Sequence, residues 1–325
     1  MMLSIKENYL MAFRDHKKPE FIPKSSDVAK AGGAFEIWEN GPRGGGYDEF
    51  GVLWSASESA MGAGVPAAGH TVLEDICDWE DIVKFPDLDK IDWKAYAEPQ
   101  IAGLNRDEKL LEYGCWNGQF LRTTHLMGFE NALCAMITDE EAYSALLTAI
   151  TDYRIKSLER IHEYFRPDII TLYIDVATER GLFMSREMYQ KLISPQQKRF
   201  ADAVKSYGMM ACVHNCGKCD EIIPDFIDEG FTCWCSAQPS NDIEAILKTY
   251  GDRIAVHGGY DSNGIAGRAE ASDEEIDQEV KRCLETYAPH GSYIFCGIRM
   301  VPGAPKEVAV GSINRAFDKY KDLYK

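Results

Sequence analysis

Between Gly208 and Asp220 the chain reads Gly-Met-Met-Ala-Cys-Val-His-Asn-Cys-Gly-Lys-Cys-Asp, its densest concentration of soft-metal ligands. His214 and Cys216 are two residues apart, so on extended backbone both side chains fall on one face and can point at a single ion. One imidazole and one thiolate suit zinc. The apolar run Met209 to Val213, bounded by Gly208 and Gly217, reads as a buried parallel strand whose tip carries the pair.

Such a pair needs a framework that brings further ligands to the same tip. Beyond residue 105, short apolar runs alternate with helical lengths, the pattern of parallel strands joined by crossover helices. The predicted strands are Leu110 to Cys115, Ile169 to Ile174, Met209 to Val213, Phe231 to Cys235, Ile254 to Gly258 and Ser292 to Phe295. Predicted helices span Ala142 to Tyr164, Met188 to Tyr207, Asp220 to Glu229, Asn241 to Tyr250 and Asp273 to Tyr287. With one or two strands from the N-terminal third, this predicts an α/β fold, a (β/α)8 TIM barrel with an N-terminal helical and loop elaboration. Residues 1–325 are read as one barrel domain, with 1–100 as the elaboration plus the first strand or strands. A doubly wound sheet is the alternative, but the glycine-rich first turn of a nucleotide site is missing.

In a barrel the residues after each strand line the catalytic face. Trp116, Asn117 and Gln119 follow the first run, Asp175 and Glu179 the second, His214 and Cys216 the third. Cys235 and Gln238 follow the fourth, Tyr260 and Asp261 the fifth, and Cys296 the last. His214, Cys216 and Cys296 are therefore predicted to bind Zn2+, leaving a fourth position open for water or substrate. Asp175 and Glu179 are the catalytic candidates. Trp116, Gln119, Met184, Gln238 and Tyr260 are the substrate-binding candidates.

Blander readings stand beside these. Cys216 and Cys219 could join Cys233 and Cys235 in a closed structural site, although Cys219 falls where the next helix should begin. A redox dithiol or plain packing without an ion are further readings. Asp175 could simply cap a turn, Glu179 could pair with Arg180, and His257 reads as a core histidine. Cys77, Cys134 and Cys283 read as inert packing.

Elsewhere, Ser4-Ile5-Lys6-Glu7 fits a capping box opening a helix to about Asp15. Gly41 to Gly46 lacks any phosphate-binding pattern and reads as a mobile surface loop. Leu73 to Trp93 reads as a helix followed by an irregular connection.

The net charge of −17 opposes binding to nucleic acid or anionic lipid. With no apolar span of membrane length and no signal-peptide core, a cytoplasmic location is expected. Ten cysteines without the regular spacing of a secreted scaffold fit a reducing compartment.

Four segments carry a resemblance: His214-Asn215-Cys216-Gly217, Asp225 to Gly230, Gly251 to Asp261, and Gly291 to Gly297. Together they resemble the uroporphyrinogen decarboxylase superfamily, and within it the zinc-dependent, corrinoid-linked methyltransferases. The resemblance implies a (β/α)8 barrel, zinc on His214, Cys216 and Cys296, and a partner corrinoid protein that presents its cobalamin cobalt at the barrel mouth. It also implies transfer of a methyl group between a small donor and that cobalt. A methoxylated aromatic is the favoured donor, because Trp116, Tyr260 and Phe295 could supply an aromatic pocket. Methyl transfer from methylcobalamin to a thiol, a decarboxylase or lyase, and a non-catalytic corrinoid-protein partner with structural zinc are the rivals. Porphyrinogen decarboxylation is disfavoured, since four acidic arms need several cations and the N-terminal region offers little beyond Arg43.

Overall fold

The computed structural model describes residues 3–42, 44–56, 64–299, 301 and 306–322. Seven parallel strands form its central sheet: β1 (Val28–Gly32), β2 (Leu110–Cys115), β3 (Ile169–Tyr173), β4 (Met210–His214), β5 (Cys233–Ala237), β6 (Ala255–Gly259) and β7 (Tyr293–Cys296). Their spatial order is their chain order. A doubly wound sheet reverses its strand order part-way, so the alternative reading is excluded. Helices such as Glu140–Phe165, Ser194–Ser206, Ile223–Glu229, Ile243–Tyr250 and Asp273–Tyr287 connect successive strands.

The two outer strands of the sheet are brought together at one point. Lys24, just ahead of β1, makes a parallel bridge to Phe295 of β7, and the Phe295 amide donates to the Pro23 carbonyl at 2.9 Å. Of the eight expected strands, seven are found among the described residues.

Strand alternation sorts the core into two. Outward residues, including Leu111, Tyr113, Ile170, Leu172, Val213, Trp234, Val256 and Phe295, pack with helix residues such as Leu146, Ile150, Phe200 and Leu284. Inward residues at the strand starts, Val28, Leu110, Ile169, Cys212, Cys233, Ala255 and Ile294, form a separate cluster with Tyr9, Ala12 and Phe13. These last three lie on the helix Ile5–Phe13, which thus plugs the N-terminal end of the barrel-like sheet. Its start is the capping box read from the sequence, with Ser4 accepting from the Glu7 amide at 3.2 Å. Asn8, fully buried, clips the plug to the next segment through the Phe21 carbonyl (2.7 Å) and amide (3.2 Å).

Several local readings change. Gly45–Tyr47 pairs with Leu53–Ala56, which pairs with Gly64–Pro66, in a small antiparallel sheet. The glycine run is therefore partly a strand, and the positive φ values from Gly44 to Gly46 explain the choice of glycine. Arg43 lies outside the described residues. Cys77 and Cys134 are exposed rather than packed, because each sits on the outward face of its helical segment; Cys283 is buried as expected. Leu73 to Trp93 contains only short helical turns, Ile76–Asp78 and Trp79–Ile82, before its irregular connection.

Candidate metal centre

The strand order places the tips of β3, β4 and β5 side by side, and their side chains converge. Tyr173, His214 and Cys235 are register partners across β3, β4 and β5. The Tyr173 and His214 rings stack at 3.9 Å with 18° between planes. Cys235 Sγ lies 3.4 Å from His214 Nδ1, which turns Nε2 the other way, to 3.5 Å from Cys216 Sγ and 3.9 Å from Asp175 Oδ1. The ring is thus held on one face, on one edge and at one end before any ion binds.

Cys216 is fixed from both sides. Its amide donates to Asp175 Oδ1 (2.9 Å), and its sulfur lies 3.1 Å from Ser236 Oγ. The Asn215 side chain is fully buried; it accepts from the Val176 amide and donates to the Cys216 carbonyl, both at 2.8 Å. Gly217 follows with φ of +80°, and a Cβ there would come within 2.4 Å of the Thr178 carbonyl. Glycine is required at this turn. Gln238 Oε1 accepts from the Gly217 amide at 2.9 Å, bracing the same turn from β5.

Backbone strain marks the spot independently. Asp175 (φ +37°) and Ser236 (φ +66°) are two of the four non-glycine residues with positive φ among those described, and they flank the Cys216 thiol. Such conformations cost about 1–3 kcal/mol each and gather at functional sites.

Asp175, His214 and Cys216 each offer a donor atom, and the three atoms lie within 4.8 Å of one another. A tetrahedral zinc, with bonds of about 2.3 Å to sulfur and 2.0–2.1 Å to nitrogen, requires a sulfur–nitrogen separation of about 3.6 Å. The 3.5 Å between Cys216 Sγ and His214 Nε2 meets that requirement. The electrostatics agree. Burial, reinforced by the Asp175 carboxylate, pushes the Cys216 thiol up to about 12, so a nearby cation is what would hold it as thiolate. Burial opposes the charge of His214, but Cys235 and Asp175 outweigh it and the net shift is upward. The residues present fit zinc.

The remaining candidates are distributed unevenly. Cys296 ends β7 opposite Gly259 and is half-buried, outside the group that closes to 4.8 Å. Cys219 is fully buried beyond the turn, its amide donating to Asn241 Oδ1, which agrees with its reading as a residue of the next helical segment. Cys212 is buried on the same face as His214, one inward position deeper. Trp116 is half-buried beside Tyr173, ring centroids 5.8 Å apart. Tyr260 is buried, its hydroxyl donating to the Ala266 carbonyl and its ring edge-on to Phe295. Met184 is half-buried against the outer core. Gln119 is buried and directed at the Gln196 carbonyl (3.5 Å), and Glu179 is exposed in the turn of a hairpin formed by Ala177–Thr178 and Gly181–Leu182. His257 is buried, but its Nε2 has no partner.

Sequence reasoning missed Tyr173 and Ser236. Tyr173 could have been found by extending the inward alternation of β3 to its last residue. Ser236 gave no such signal, because it occupies a register shift between Cys235 and Ala237 that no residue type announces.

Residues 59–310 match the family model described as uroporphyrinogen decarboxylase (URO-D). The chain belongs to the uroporphyrinogen decarboxylase family. No curated protein matches the sequence significantly. Among solved structures, this family member is similar to a methyltransferase from Methanosarcina mazei, with a TM-score of 0.65 over 98% of this chain and 99% of that one. At 15% identity that likeness establishes the shared fold. Among the described residues, no helix is long and apolar enough to cross a membrane.

Proposed function

We propose that this URO-D family protein is a zinc-dependent methyltransferase that moves a methyl group between a small donor and the cobalt of a partner corrinoid protein. The observation that carries the reading is the preorganised Asp175–His214–Cys216 group at the strand tips, with donor spacing suited to zinc. Cys296 is proposed as a further ligand, approaching from the tip of β7. The similarity in fold to a methyltransferase supports the reaction class.

Zinc bound there would supply Lewis acidity toward the heteroatom that carries the methyl group. The protein's own residues do the positioning. Cys235 and Tyr173 orient His214 so that Nε2 faces Cys216 and Asp175, with which it would hold the ion, and Asp175 fixes the Cys216 backbone. Trp116 and Tyr173 form an aromatic wall beside the ligands, which favours a methoxylated aromatic as donor and O-demethylation as the reaction. Glu179, exposed at the hairpin turn, is proposed to act only if that hairpin meets substrate or the partner. We further propose a complete (β/α)8 barrel, with residues 1–100 as its elaboration, working in the cytoplasm.

The test mixes zinc-loaded protein with cob(I)alamin and a panel of donors, including methoxybenzenes, methanol and methylamines, and follows the visible spectrum. Formation of methylcobalamin with a methoxybenzene and not with the aliphatic donors supports the reading. No spectral change with any donor, together with no demethylation of methylcobalamin by thiols, contradicts it.

A further inference from the structure

Two consecutive residues of β5 address the metal centre, which a regular strand does not allow. Cys235 Sγ faces His214 Nδ1 at 3.4 Å, and Ser236 Oγ lies 3.1 Å from Cys216 Sγ. Strand alternation would send the second of two neighbours to the opposite face. The register explains the exception. Cys235 pairs with His257 of β6 and Ala237 with Gly258, so Ser236 is the extra residue of a bulge, a device that re-aims side chains beside active sites. Gly258 makes room for the bulge, since a Cβ there would come within 2.6 Å of the Ala237 carbonyl oxygen.

The residue type at the bulge is informative. At a φ of +66° glycine is relaxed and asparagine tolerated, whereas serine is strained. What serine adds over glycine is a hydroxyl, and that hydroxyl sits on the sulfur of Cys216. The direction of the hydrogen bond follows from the chemistry of a ligand. A metal-bound thiolate carries no proton, so Ser236 Oγ–H donates and Cys216 Sγ accepts. The Cys216 amide does not compete for the sulfur, because it donates to Asp175 Oδ1 at 2.9 Å.

We infer that Ser236 is a positioning residue of the metal centre, whose hydroxyl donates to the Cys216 thiolate, draws charge off the sulfur and so keeps the bound zinc electrophilic. The inference rests on the proposed metal centre. Its physical basis is the charge of the ligand set. The Asp175 carboxylate and the Cys216 thiolate already match the two charges of zinc, and a Cys296 thiolate would exceed them. Donation from so anionic a set weakens a Lewis acid, and a hydrogen bond that shares the charge of one thiolate restores it.

The test loads the full chain with cobalt(II) in place of zinc and reads the thiolate-to-cobalt charge-transfer band in the near ultraviolet, with no corrinoid or donor present. Ser236→Ala and Ser236→Gly both remove the donor, and a sulfur without its hydrogen bond gives up electrons more easily. The band should therefore move to longer wavelength by the same amount in both variants. The pair separates the hydroxyl from the backbone, because glycine relaxes the positive φ and alanine does not. Ser236→Gly should fold at least as stably as wild type, which keeps the comparison on folded protein. An identical band in wild type and both variants overturns the inference. So does a band that moves in Ser236→Ala alone, which assigns the effect to backbone strain. Wild type that shows no charge-transfer band contradicts the metal centre itself, and this inference with it.

Discussion

Asn215 lies between the two proposed ligands at the end of β4 and is not itself one of them. It occupies three segments at once: the turn itself, the Val176 amide beyond β3, and the Trp234 indole of β5, which donates to its carbonyl at 3.0 Å. Asn215→Ala would leave the buried Val176 amide without an acceptor, and a loss of about 2 kcal/mol is expected in urea unfolding. The zinc affinity of that variant should fall by about 10–100-fold, the usual range for residues that orient ligands. At this scale the sequence was readable where two residues share one strand face, as His214 and Cys216 do. It was unreadable where the backbone bends, because the positive φ of Asp175 and Ser236 follows from tertiary packing. Asp175 was legible as a strand-end carboxylate, and its place beside Cys216 came only with the turn.

Helix ends were legible where side chains cap them. Asp273–Tyr287 begins with Ser272 accepting from the Glu275 amide (3.3 Å) while Glu275 accepts from Ser272. Ser272→Ala should cost about 1 kcal/mol in urea unfolding and leave the metal content unchanged. Strand β2 is found within the predicted bounds, since apolar content, length and flanking turns agree there. Strand β5 begins two residues later than predicted and runs two further. Phe231 and Thr232 are apolar and β-branched, but they complete the turn after Ile223–Glu229, where Gly230 takes φ of +99° and the Thr232 amide donates to Ala211. The strand Gly45–Tyr47 begins inside the Gly41 to Gly46 run read as a loop, because its glycines mask the alternation that marks a strand. Glu229, at the end of that same helix, is buried. Burial raises its carboxyl to about 8, against the hydrogen bond from the Tyr189 hydroxyl at 2.7 Å. A carboxyl with a raised folded pKa holds its proton in the folded state and releases it in the unfolded one between pH 4.5 and about 8. Its contribution to stability is therefore present in acid and is lost as the pH rises through that window, by up to about 1.4 kcal/mol per pH unit. Urea midpoints between pH 5.5 and 8 should fall more steeply for wild type than for Glu229→Gln.

Across the whole molecule, buried charge ties the N-terminal third to the helices Gln119–Met127 and Glu140–Phe165 that flank the sheet. Arg122 pairs with Asp48 at 2.9 Å and with Glu39 at 3.6 Å, and Arg154 pairs with Glu39 and donates to the Asn117 carbonyl. All four side chains are 1% exposed or less. Arg154→Met should lose about 3–5 kcal/mol because Glu39 is left partly uncompensated in the interior, a shift visible as a lower midpoint of thermal unfolding. None of this network was legible in the sequence, where Glu39, Asp48, Arg122 and Arg154 are separated by long stretches and look like surface charge. The order of the strands was legible, because alternation of apolar runs and helical lengths admits few topologies. What links the scales is that sequential strand order puts the β3, β4 and β5 tips together, where Asp175, His214 and Cys216, the proposed ligands, converge beside Cys235 and Ser236. The most direct measurement is metal content of the purified protein and its variants after equilibration with zinc. About one zinc per chain is predicted for wild type and Cys219→Ala, with zinc lost in Cys216→Ala and Cys296→Ala. Zinc absent from wild type, or retained in Cys216→Ala, would contradict the metal centre, and zinc retained in Cys296→Ala alone would leave Asp175, His214 and Cys216 as the protein's ligands.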